Sequence, residues 1–140
     1  MLETKERTLA VGGFEPQNMS AGDAGVIADM FRNDIIREGS FNVVEKANMD
    51  KILQEQAFQQ SGCTTQECAV KLGKVLNVRY LVVGSFGKLL ENYVINIRVV
   101  DVESAKAVYS DSAENLSSSG VSAAVHGLSA RLTEAVKKSK

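Results

Sequence analysis

The feature that most constrains this chain is a change of hydrophobic period at Tyr80. Before it, apolar residues recur at helical spacing between short apolar runs; after it, they recur every second residue. Tyr80-Leu81-Val82-Val83-Gly84-Ser85-Phe86 is an almost continuous apolar run, as in a central strand covered on both faces. Tyr93, Ile95, Ile97 and Val99 then alternate with Val94, Asn96, Arg98 and Val100, which predicts a strand with one face toward solvent. Ala107, Tyr109 and Asp111 alternate with Val108, Ser110 and Ser112 in a further strand, and Glu103-Ser104-Ala105-Lys106 turns between the two.

Upstream, Thr8-Leu9-Ala10-Val11 reads as a buried strand ended by Gly12-Gly13 and Pro16. Ser20 is placed to cap a helix with Asp23 in its first turn, a stripe of Val26, Ile27, Met30, Phe31 and Ile35, and Gly39 at its C-terminal end. Phe41–Val44 is a second short strand. Asn48 is read as the cap of a helix with Met49, Ile52, Leu53 and Ala57 inward. A shorter helix from Thr65 to Leu76 buries Ala69, Leu72 and Leu76. After Ser117–Gly120, a last helix carries the stripe Val121, Val125, Leu128, Leu132 and Val136. The order is strand, helix, strand, helix, helix, three strands, helix. Helical connections favour parallel pairing and short turns require antiparallel pairing, so the expectation is an α/β (α+β) sandwich: a mixed sheet of about five strands packed against helices.

A length of 140 residues suits one domain, residues 1–140, with 1–7 outside the packed fold. A formal net charge of -1 leaves no electrostatic footprint for nucleic acid. Met1–Arg7 is charged where an apolar leader segment should follow, so the reading is either a cytosolic protein or a mature domain without its leader.

The only two cysteines, Cys63 and Cys68, lie in QQSGCTTQECAVKLG. Thr64 and Glu67 match a capping box, with Thr64 as N-cap and Glu67 three residues on. In that register the two sulfurs occupy the positions that meet in a hydrophobic staple, and a disulfide there would pin the preceding loop with about 2 kcal/mol at most, because the closed loop is short. Two free buried cysteines are the alternative. Zinc is disfavoured because two cysteines and the single His126 fall short of four ligands, and the four-residue spacing does not match a thioredoxin-type centre.

No catalytic set emerges. His126 flanks the apolar stripe of the last helix and reads as a partly buried, hydrogen-bonded histidine. Gly12-Gly13 lacks the rest of a phosphate-binding motif, and Phe14-Glu15 follows it, so a bulge or close packing explains the pair better. The expectation is therefore a non-enzyme with no catalytic, cofactor-binding or metal-binding residues and no cofactor.

FNVVEKANMDKILQEQAFQQSGCTTQECAVKLGKVLNVRYLVVGSF (41–86), with LAVGGFEP (9–16) and YVINIRVVDVESAKAV (93–108), resembles the soluble domain of CsgG-like proteins, the curli secretion channel family of the bacterial envelope. Phe41 to Gln56 fits its pattern F-x-V-V-E-(R/K)-x-x-(M/L)-x-x-(I/L)-L-x-E-Q, and the likeness runs from Thr8 to Leu132. The related shape includes the penicillin-binding-protein activator LpoB and the N-terminal domain of TolB. The resemblance implies an exported, periplasmic, outer-membrane-associated lipoprotein whose leader and lipid anchor are outside this chain, and it favours the Cys63–Cys68 disulfide. It implies a non-catalytic accessory or assembly factor for secretion or envelope machinery, with envelope proteins as partners, homo-oligomers as an option and no nucleic acid. A secretion-pore subunit and a small-ligand-binding domain are the alternatives. The tight Gly87–Asn92 and Glu103–Lys106 connections leave no long hairpins for a barrel. The family's Thr-Gly turn is Ser104-Ala105 here, so a positive φ at that point would be strained.

Overall fold

The computed structural model describes residues 5–56 and 65–138. Its elements are β1 (Thr8–Gln17), α1 (Ala21–Glu38), β2 (Asn42–Val43), α2 (Lys46–Glu55), α3 (Gln66–Leu76), β3 (Tyr80–Leu89), β4 (Asn92–Asp101), β5 (Lys106–Leu116) and α4 (Val121–Lys138). The order and the α/β sandwich are those expected. The five strands form one mixed sheet in the order β2-β1-β3-β4-β5. β1 runs parallel to β2 and β3, and the β3–β4 and β4–β5 pairs are antiparallel.

Helices α1 and α4 cover one face of the sheet. Leu9, Val11, Val82, Ile95 and Val99 pack there against Phe31, Ile35, Leu128 and Leu132, all buried. Helices α2 and α3 bring Met49, Leu53, Ala69, Leu72 and Leu76 onto the other face, over Ala10, Leu81, Val83, Val100 and Val102. At Gly73 the contact is so close that a Cβ would collide with a methyl of Val102.

Several local expectations are corrected. β1 does not stop at Gly12-Gly13; it continues to Gln17, and its register against β3 shifts between Val11 and Phe14, which is the bulge the glycine pair permits. Arg32, only 5% exposed, donates to Val11 O at 2.8 Å beside that bulge. Val26, assigned inward, is 57% exposed, and the α1 interface uses Ala24, Ala28 and Arg32 besides Ile27, Phe31 and Ile35. α2 begins at Lys46 with Glu45 as its N-cap, so Asn48 lies inside the first turn. The earlier start follows from the Val44 N to Leu9 O bond of 2.9 Å, which sets where the chain leaves the sheet. Residues 5–7 are not loose: Lys5–Arg7 is a 3-10 turn, and Arg7 donates to Ser40 O at 2.9 Å.

Ser20 caps α1 by accepting from Asp23 N, and Gly39 ends it at φ 89, as expected. Ala105 takes φ 61 in the β4–β5 turn. The strain foreseen for a turn without glycine is therefore present, carried by a residue with a Cβ.

Candidate functional site

The α2/α3 layer covers only part of its face, and the uncovered remainder is the candidate site. β4 shows the boundary. Val100 and Val102 lie under α3, while Asn96 and Arg98, of the same strand parity, lie beyond it. The beyond-α3 region is a shallow trough of about 630 Å³ lined by strand residues alone.

Its side chains align across the sheet. Glu15 on β1 pairs with Ser85 on β3, Ser85 with Asn96 on β4, and Asn96 with Ser112 on β5. A polar row thus crosses four strands. In the adjacent row Val83 pairs with Arg98, and Arg98 with Ser110. Gln17 extends the wall on β1. Asn96 Nδ2 donates to Ser85 Oγ at 3.2 Å, so two members of the row are oriented by each other. Gly84 belongs to the support beneath. A Cβ there would meet the backbone carbonyl of Asn96 and the ring of Phe14, so the strand can close only without a side chain.

The trough offers neutral hydroxyls and amides with the Glu15 carboxylate and the Arg98 guanidinium, and the second acidic residue of its lining, Asp111, is bound to Arg131. Ser85 has an amide as its hydrogen-bond partner, which cannot accept a proton as a general base does. The arrangement suits recognition through hydrogen bonds rather than covalent chemistry. Among the described residues, no group of three or more His, Cys, Asp or Glu side chains could hold a metal ion.

A second polar cluster joins α1 to α4, and sequence reasoning missed it. Asp34 Oδ2 accepts from His126 Nδ1 at 2.7 Å and from Ser129 Oγ at 2.8 Å, while Oδ1 accepts from Arg37 at 3.0 Å. Ser122 Oγ lies 3.4 Å from His126 Nε2. Ser122, His126 and Asp34 stand in the order of a hydrolase triad. However, the His126 side chain is 56% exposed rather than partly buried, Ser122 is exposed, and 3.4 Å is long for a hydroxyl hydrogen bond. The Asp34 side chain, 9% exposed, binds three donors at once, which makes the cluster a clamp between helices. The i,i+4 spacing of Ser122 and His126 was visible in sequence; Asp34, 92 residues from His126, was not.

Two further ion pairs brace the ends of the sheet. Arg79 donates to both oxygens of Asp101, at 2.8 and 3.1 Å. This bond holds the Asp101 carboxyl below its ordinary range and pushes the guanidinium upward. At β5, burial tends to raise the Asp111 carboxyl, and the bonds from Arg131 and Tyr109 outweigh it, so the net displacement is downward.

The sequence-assigned site residues fare differently. Cys63 and Thr64 lie outside the described residues. Helix α3 starts one residue later than the capping box required: Thr65 is the N-cap, its hydroxyl accepting from Cys68 N at 3.1 Å. Gln66 fixes that start by donating to Ala105 O at 2.6 Å. Glu67 is therefore the second helical residue and Cys68 the third, while Thr64 and Cys63, the other members of the expected box and staple, lie outside the described residues. Neither Glu67 nor Cys68 lines the polar trough.

The sequence model of the curli production assembly/transport component CsgG matches residues 12–93. No curated protein sequence matches the chain. The fold is shared with the LpoB C-terminal domain from Salmonella enterica, at 15% identity and TM-score 0.64, covering 79% of this chain and 83% of that one. TolB from Acinetobacter baumannii matches at 14% identity and TM-score 0.64, over 92% of this chain and 28% of that longer one. A PelC dodecamer from Paraburkholderia phytofirmans matches at 14% identity and TM-score 0.57, over 96% of this chain and 89% of that one. At such identities the structural likeness concerns the fold alone.

Proposed function

This chain belongs to the CsgG family, and from that premise we propose that it is a non-catalytic periplasmic accessory or assembly factor, associated with the outer membrane, that acts on envelope machinery through protein contacts. The observation that carries the reading is the polar row Glu15, Ser85, Asn96 and Ser112. It is a built, ordered, hydrogen-bonding surface with no reacting pair in it. Such a surface fits a protein partner that supplies polar groups to a flat face. Self-association into a ring is compatible with the reading, supported by the likeness to a protein solved as a dodecamer. The Cys63–Cys68 disulfide belongs to the same proposal, because it needs an oxidising compartment.

The test combines place and contact. A photo-crosslinking residue at Ser112 in native cells should give a discrete adduct with an envelope protein or a second copy, and the same residue at Val26 should not. In parallel, thiols trapped at lysis should be unreactive until reduction. Adducts of equal yield at both positions, or two free thiols in a cytosolic fraction, would overturn the reading.

A further inference from the structure

A second cavity lies on the α1/α4 face, where β1, β2 and β3 begin. It measures about 340 Å³ and shares no lining residue with the trough. That size is at the lower end of the roughly 300–1,000 Å³ of small-ligand sites, which is room for one compact group. Its floor is apolar. Phe41, Tyr80 and Val136 are buried, and the Phe41 and Tyr80 rings meet edge to face with centroids 6.1 Å apart. The Arg79 guanidinium lies 5.3 Å over the Tyr80 ring and is bound to both oxygens of Asp101, so it serves as a fixed wall.

The rim carries charge that the fold does not use in full. Ser40 brings two cations together: its carbonyl accepts from Arg7 Nη1 at 2.9 Å, and its hydroxyl accepts from Lys137 Nζ at 3.4 Å. The bond to Glu38, at 3.1 Å, holds the Lys137 ammonium above its ordinary value, while the charge of Arg7 works against it. Among the described residues no carboxylate pairs with Arg7. Its guanidinium therefore has one neutral acceptor and keeps the rest of the donor fork that a carboxylate takes. Two like charges anchored to one serine repel, and an anion placed with them removes the repulsion.

Floor and rim together narrow the anion. A phosphate, more highly charged and strongly hydrated, gains nothing from buried rings and meets the Glu6 carboxylate on the same lining. A single carboxylate joined to an apolar side chain uses both parts: the charge goes to Arg7 and Lys137, and the side chain to Phe41, Tyr80 and Val136. Glu6 then has a role as well. A residue that carries a chain-terminal carboxylate also carries an amide N–H, which a carboxylate accepts.

We propose that this cavity binds the C-terminal residue of a polypeptide that ends in an apolar side chain, with Arg7 and Lys137 receiving the terminal carboxylate and Glu6 the last amide N–H. The inference goes beyond the proposed accessory role and does not depend on what the polar trough binds.

N-acetyl-phenylalanine is the smallest such chain end, and its C-terminal amide removes only the charge. In NMR titrations of the isotope-labelled chain, the acid should shift the backbone amides of Arg7, Tyr80 and Lys137. The amide compound should bind about tenfold or more weakly. Acetyl-Gly-Gly-Phe should bind at least as well as the single residue, because its chain leaves past Glu6. Arg7→Gln should weaken binding of the acid by about tenfold. Arg7 is exposed and donates to one carbonyl, so the variant's urea midpoint should stay near that of the parent and separates lost binding from lost folding. The acid–amide comparison uses the parent chain alone and stands whatever the variant's stability. The proposal falls if acid and amide bind alike, or if the acid leaves those backbone amides unmoved at millimolar concentration. It also falls if the tripeptide binds more weakly than the single residue, or if Arg7→Gln binds the acid as the parent does. Acetate or inorganic phosphate binding as tightly as the acid would overturn it too and leave a simple anion site.

Discussion

The two halves of the sheet face that carries α2 and α3 are built from the same strands, yet they differ in kind. Under the helices, Val100 and Val102 meet Leu72 and Gly73 so closely that a single added methyl collides. Beyond them, the same parity of β4 presents Asn96 and Arg98 to a trough. The difference teaches that strand chemistry follows what covers it. One half is constrained by packing and tolerates little; the other carries polar side chains on an uncovered face, to which the proposed recognition role belongs.

The strongest way to break this contrast is to empty the packed half. Leu72 is fully buried, so Leu72→Ala should cost about 3 kcal/mol from lost burial and the cavity left behind. Urea unfolding would show a lower midpoint. A loss as small as that of a trough substitution would mean that α3 is not the true cover of this face.

The next effect tests the brace at the end of the covered half. Asp101 is 8% exposed, and its carboxyl is held low by the Arg79 bond. The stabilisation is therefore present above the ordinary aspartate range and is lost as pH falls through the lowered folded value. Asp101→Asn should lower stability at neutral pH by about 2 kcal/mol, as expected for a hydrogen bond between charged groups. Its stability should also change less than that of the parent chain when pH drops below about 4. Urea midpoints measured across that range check both the size and the sign.

How much of this was readable beforehand depends on range. The halves of β4 were legible in part: the alternation of Tyr93, Ile95, Ile97 and Val99 with Val94, Asn96, Arg98 and Val100 identified one face as open, and the structure corrects this at Val100, which is buried under the helices. Strands and helices with strong periodicity appeared in the right order for the same reason. The position of α3's first turn was misread by one residue because Thr64 and Thr65 have equal capping chemistry. The choice is made by Gln66 reaching Ala105, 39 residues away. Arg32 was illegible as a buried residue, since an arginine on an amphipathic helix normally faces water. The β1 bulge, which supplies Val11 O, and Asp29, which accepts from the same guanidinium at 2.6 Å, give it a reason to be inside. The polar row itself needed the strand registers, which no single-chain pattern contains.

Turn chemistry sharpens the comparison at a smaller scale. Ala105 at φ 61 closes the turn that receives α3's first residue, so the covered half carries strain at its margin. Ala105→Gly should raise stability by up to about 1 kcal/mol, because glycine adopts that conformation without a Cβ penalty. A higher urea midpoint with an unchanged slope is the expected outcome. A decrease would mean that the unfolded chain's gain in freedom outweighs the strain, and that the alanine is the better residue in this turn.

The smallest expected effect is the most informative about the trough. Ser112 is exposed on β5 and closes the polar row, and none of the described side-chain hydrogen bonds uses its hydroxyl. Ser112→Ala should shift stability by no more than about 0.5 kcal/mol, as surface substitutions do. Ser85→Ala removes the acceptor of a 3.2 Å bond from Asn96 and should cost only slightly more, since that amide can turn to water. Against this near-silence in unfolding, the same two changes should weaken any adduct formed through Ser112's neighbours in the crosslinking assay. If instead either variant unfolds as readily as Leu72→Ala, the open half is structural, and the contrast between a packed half and a recognition half is wrong.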